Sequence, residues 1–95
     1  MSVQVIVQHH AKDFDQWKPV FDENGEVRRK HGGKGHRLYR TLEDPNTLVV
    51  VSEFESAEGA EAFIQDPKLK EAMDRAGVDV KPNIWICENV ENVDY

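Results

Sequence analysis

The sequence predicts an α+β sandwich, a four-stranded antiparallel sheet with two helices on one face, in the order β-α-β-β-α-β. Three observations predict it. "VQVIVQHH" alternates valines with larger residues, the period of a half-buried strand. Two segments begin at capping residues and carry apolar positions at helical spacing. Two further runs of β-branched and aromatic residues flank the turn-forming stretch "EDPNT".

Residues 3–10 form the first strand. Asp13 is read as an N-cap, with Gln16 as its capping-box partner, and Phe14, Trp17, Val20, Phe21 and Val27 make the apolar stripe of one helix. Asp13 and Asp15 at its start and Arg28, Arg29 and Lys30 at its end suit the helix dipole. Pro19 is expected to kink it or delay its start to near Asp15, Gly25 weakens its middle, and Gly32 and Gly33 end it. His36–Leu42 and Leu48–Phe54 form a hairpin around Asp44, Pro45 and Asn46, with Leu42 set opposite Leu48. Ser56 caps a second helix carrying Ala60, Phe63 and Ile64. Asp66 and Pro67 restart it, Leu69, Ala72, Met73 and Ala76 continue its stripe, and Gly77 closes it. "NIWICEN" is the last strand, followed by an acidic tail to Tyr95. This order folds most simply as a ferredoxin-like sandwich, a single domain over residues 1–95.

Composition narrows the partners. Twelve basic against 18 acidic residues give a formal charge of −6, which argues against nucleic acid and anionic membranes as partners. No apolar run approaches the roughly 18–20 residues of a membrane span. A strand that begins within two residues of the start leaves no room for a signal peptide, and a single cysteine, Cys87, fits a reducing compartment. The expected location is the cytoplasm.

Strand parity divides the side chains. Val3, Val5, Val7, Leu38, Leu42, Leu48, Val50, Phe54, Ile84 and Ile86 form an aliphatic face for the helices. Gln4, Ile6, Gln8, His10, Arg37, Tyr39, Thr41, Val49, Val51, Glu53, Trp85 and Cys87 form a mixed face that needs a cover. With the first and third strands taken as running side by side in one direction, the polar members of that face gather at one end. His10 is then the candidate base, Arg37 and Tyr39 the candidate oxyanion donors, and Glu53 the group that orients His10 or neutralises Arg37. Gln8, Val51 and Trp85 are the candidate substrate contacts. The alternative is structural: an Arg37–Glu53 cross-strand pair and a His10 that closes the end of the sheet.

Other patterns point away from chemistry. His9 and His10 face opposite sides of a strand and His36 has the helix-side parity, so no metal site is expected. "HGGKGH" follows a helix and precedes a strand, the reverse of a phosphate loop. Trp17 with Phe14 and Phe21 reads as core, and Cys87 as a small hydrophobe.

The strand-end Glu53 and Phe54, the helix start at Ser56 and Glu58, Phe63, and the restart at Pro67, Leu69 and Lys70 resemble the dimeric α/β-barrel superfamily, nearest its antibiotic-biosynthesis-monooxygenase-like branch. "DFDQWKPVFDE" followed by "RRKHGGKGHRLYR" is similar to a subgroup of small actinobacterial-type proteins. The resemblance implies that two sheets pair face to face in a homodimeric barrel. It implies a small-molecule-binding protein akin to cofactor-independent monooxygenases of planar aromatic or polyketide-like compounds, or a non-catalytic dimeric accessory module with a filled barrel. The Asn and Trp pair of haem-degrading members has no match, and His31 sits in the wrong element for a haem ligand, so no cofactor is expected. The tail from Glu88 is an arm on the partner subunit or a frayed end.

Overall fold

β-Branched residues at alternate positions make Val3–His10 a strand, β1, whose valines are buried while Gln4, Ile6 and Gln8 stay half-exposed. The computed structural model describes residues 3–95. Asp13 caps the helix α1 (Phe14–Glu23) by accepting from the Asp15 amide at 3.0 Å, and Gln16 takes no part in the cap. α1 starts at Phe14 and runs through Pro19. The expected single helix instead breaks at Asn24, beside the weak Gly25, and a short α2 (Gly25–Lys30) completes it.

β2 (Gly33–Arg40) begins three residues earlier than expected, so Gly33 to Gly35 belong to a strand, with a register shift between them, rather than to a turn. β3 spans Thr47–Phe54. α3 (Ala57–Gln65) starts at Ser56, whose hydroxyl accepts from the Gly59 amide, and α4 (Pro67–Arg75) starts at Asp66, which accepts from the Lys68 amide. Asp66 also accepts from His31 Nε2 at 2.9 Å, which ties the end of α2 to the α3–α4 junction. β4 (Asn83–Glu88) is the last element.

The sheet order is β2-β3-β1-β4, antiparallel at every pairing. This bears out the four-stranded antiparallel ferredoxin-like class. It also corrects the direction assumed for the central pair: β1 and β3 are antiparallel, Val3 opposite Phe54 and His10 opposite Thr47. The hairpin register differs by two residues from the expected one, with Arg40 rather than Leu42 opposite Leu48. Leu42 lies in the connecting loop, 104% exposed, and is no part of the helix-side face. A slip of two leaves every β2 side chain on its expected face, whereas a slip of one would have reversed them all.

The helices cover one sheet face over two core clusters. Val3, Val5, Val7, Phe54, Ala60, Phe63 and Leu69 form one, and Ala11, Trp17, Leu48, Val50 and Ala76 the other. Burying each large side chain stabilises the fold by about 1.5–3 kcal/mol. Between the two clusters lies a cavity.

Candidate functional site

Strand direction decides which outer-face residues meet. Glu53 stands opposite Gln4 at the beginning of β1, while His10 ends β1 beside Thr47. The expected His10–Glu53 pair is therefore absent: the two sit at opposite ends of the sheet. Arg37 is opposite Val51, and Gly35 takes the place opposite Glu53. Arg37, Val51 and Glu53 do share one groove of about 440 Å³ with Gln4 and with Asn89 and Asn92 of the tail. Tyr39 is opposite Val49, and Trp85 is opposite Ile6 in mid-sheet, away from His10. Gln8 accepts from Asn83 Nδ2 at 2.8 Å. Tyr39 and Trp85 are about half exposed, at 51% and 50%.

His10 has other partners. Its Nδ1 donates to Asp79 Oδ1 at 2.7 Å, and its Nε2 stands 3.4 Å from Asp44 Oδ2. The hydrogen bond to Asp79, with the fields of both carboxylates, raises the imidazole pKa, and each carboxyl is lowered. Both ring nitrogens face carboxylates, so His10 links the β2–β3 loop to the segment before β4.

The helix side holds a different constellation. His9 continues the buried row of Val3, Val5 and Val7, is 5% exposed, and packs 5.5 Å from the ring of Trp17. Neither ring nitrogen has a hydrogen-bond partner among the described residues. Burial lowers its pKa to about 4, so the imidazole is neutral at pH 7, with one donor and one acceptor unspent. Trp17 stacks on Phe21 at 4.7 Å, and the guanidinium of Arg28 lies 4.0 Å above the Phe21 ring. His36 meets the same Phe21 ring edge-on, as its parity implied.

His9, Trp17, Phe21 and Arg28 line the cavity between sheet and helices, together with Val7, Val50, Ser52, Asn24, Phe63 and Met73. Its volume is about 40 Å³, space for a water molecule or two and well below the roughly 300 Å³ at which ligand pockets begin. An apolar cavity with a few buried polar groups is the composition of a small-molecule site. The sequence carried signals for two of its polar members, His9 and Arg28. His9 interrupts a row of valines, and Arg28 follows Phe14, Trp17, Phe21 and Asn24 at helical spacing. Among the described residues no cluster of His, Cys, Asp or Glu has metal-site geometry. No helix is long and apolar enough to cross a membrane.

Residues 1–75 match the sequence pattern of the family described as antibiotic biosynthesis monooxygenase. SnoaB, a cofactor-independent oxygenase from Streptomyces nogalater, superposes with a TM-score of 0.79 at 10% identity, covering 99% of this chain and 98% of its own. A Bordetella bronchiseptica protein that carries the family's name gives 0.76 at 17% identity, over 95% of this chain and 98% of its own. Rv0793 from Mycobacterium tuberculosis gives 0.67 at 13% identity, over 99% and 100%. No curated protein matches the chain. At these identities the likeness shows a shared fold.

Proposed function

Since the chain belongs to the antibiotic biosynthesis monooxygenase family, we propose that it binds a small planar aromatic compound of the phenol or polyketide-like kind in the cavity between sheet and helices. We assign it an oxygenase activity that needs no cofactor. The observation that carries this reading is His9, a buried imidazole with both nitrogens unspent beside an apolar void. A buried polar group without a partner costs on the order of 1–3 kcal/mol, so its natural partner is whatever enters the cavity. Being neutral, His9 accepts a hydrogen bond from an acidic hydroxyl or enol, which holds that group in place as the ring becomes electron-rich. Trp17 and Phe21 offer apolar ring surface to the rest of the ligand. For an anthrone-like substrate, dioxygen would oxidise the activated methylene to a carbonyl, one oxygen atom entering the product and the other leaving as water.

A ligand of that size requires the cavity to open. Phe21 and Met73 are only partly buried, and the helical layer is interrupted at Asn24 beside the site. The small volume favours the second reading, a non-catalytic dimeric accessory module.

The outer face is assigned to a second copy of the chain. Ile6, Tyr39, Val49, Val51 and Trp85 present apolar surface there, and the face-to-face pairing implied by the resemblance would cover it. In this assembly Arg37 and Glu53 serve the interface and the tail groove. Oxygen uptake with anthrones and quinols tests the reading. Uptake that His9→Leu lowers at least tenfold supports it, binding without uptake supports the module, and neither binding nor uptake refutes it.

A further inference from the structure

Arg28 is 8% exposed and has no carboxylate within ion-pair reach among the described residues. The chain carries 18 acidic side chains, so acids are not scarce. Asp22, whose field does reach Arg28, is held by Lys18 Nζ at 2.7 and 2.8 Å. One of the five N–H donors of the guanidinium goes to the Phe21 carbonyl at 3.0 Å, and the flat of the group rests on the Phe21 ring. Gly25 adjoins it, where a methyl would stand 3.4 Å from Nη2, so the missing side chain leaves that flank open. A buried guanidinium without a counter-charge is costly, and it is retained where something supplies the charge.

Its position says what that is. His9 and Arg28 lie at the two ends of the Trp17–Phe21 stack and line the same cavity. We infer that Arg28 recognises an anionic substituent, a carboxylate, on the far side of the ligand from the hydroxyl held at His9. The ligand class is thus narrowed to flat aromatic hydroxy acids. The fork of the guanidinium matches a carboxylate in two parallel hydrogen bonds, whereas a neutral imidazole cannot hold a full negative charge. The inference rests on the cavity being the ligand site.

The test uses 6-hydroxy-2-naphthoate and 2-naphthol, which share ring and hydroxyl and differ in the carboxylate. Affinities are measured by calorimetry, and the Trp17 indole resonance reports whether the probe is in the cavity. The wild-type chain should bind the acid about ten- to a hundredfold more tightly, the range of a charge-assisted pair out of water. Arg28→Gln should bring the two affinities to within about twofold, Arg28→Lys should keep part of the preference, and His9→Leu should weaken both probes alike. Thermal melts of each variant, with Arg28→Lys as the milder change, separate lost recognition from lost folding. Equal binding of the two probes by the wild-type chain, with Trp17 shifted, overturns the inference and leaves the cavity reading standing. A preference that survives Arg28→Gln does the same. If neither probe shifts Trp17, both fall together.

Discussion

Acid should expose the cost of His9. Its pKa falls from 6.5 in the unfolded chain to about 4 in the fold through burial. Between those values the unfolded state binds more protons than the folded one, so stability drops as pH falls through that window. At about 1.4 kcal/mol per pKa unit, the loss reaches roughly 2 kcal/mol by pH 5 and roughly 3 kcal/mol near pH 4. The perturbation is His9→Leu, which removes the titration and the two unpaired nitrogens while keeping an apolar filling. Urea unfolding of both chains at pH 7, 6, 5.5 and 5, at one protein concentration, gives the difference directly. The titrations of His10, Asp44, Asp66 and Asp79 are common to both chains and cancel in that difference. The variant should be at least as stable as wild type at pH 7, and its advantage should grow by about 2 kcal/mol at pH 5. An advantage that stays flat with pH would refute the account, because His9 would then be either accessible or paired.

Other consequences follow from particular contacts. His10 has a raised pKa, so its link is complete below about 6.5 and is lost as pH rises through the folded value; Asp44 and Asp79 are lowered, so their share is lost in acid. An NMR titration should find His10 above the free imidazole value and Asp79→Asn should bring it down; no change on that substitution would contradict the link. Gly59 packs against the backbone carbonyl of His31, so Gly59→Ala should cost about 1–3 kcal/mol by urea unfolding, and a neutral result would mean that α3 sits farther from His31. Trp85→Lys on the outer face should shift the protein toward monomer in sedimentation, at unchanged secondary structure. A wild-type chain that is monomeric at high concentration would refute the paired-sheet assembly.

The fold was legible because its signals are local and agree with one another. Asp13, Ser56 and Asp66 cap where they should, Pro67 opens α4, and the alternation in β1 and β3 separates buried from half-exposed residues. The site was less legible because alternation fixes a face and says nothing of strand direction. Placing His10 beside Glu53 required a parallel central pair, and the antiparallel one separates them by the length of the strand. The hairpin register failed for a related reason. Thr41 and Asp44 close the loop through three hydrogen bonds between their own groups and Thr47, and β2 ends at Arg40 with Leu42 outside it. His9 and Arg28 were visible in the pattern but invited ordinary readings, one as half of a histidine pair and the other as a charge suited to a helix C-terminus. Only the packing of Trp17 and Phe21 between them shows that they share a cavity.

The most direct measurement follows the two tryptophans, one on each face of the sheet. Trp17 lines the cavity at 2% exposure, and Trp85 lies on the outer face. Their indole N–H resonances, assigned with Trp85→Phe, should respond differently to 6-hydroxy-2-naphthoate. A shift of Trp17 that saturates with the probe, with Trp85 unmoved, is the predicted result. A shift confined to Trp85 would return the ligand to the outer face, beside Arg37 and Glu53, and contradict the account.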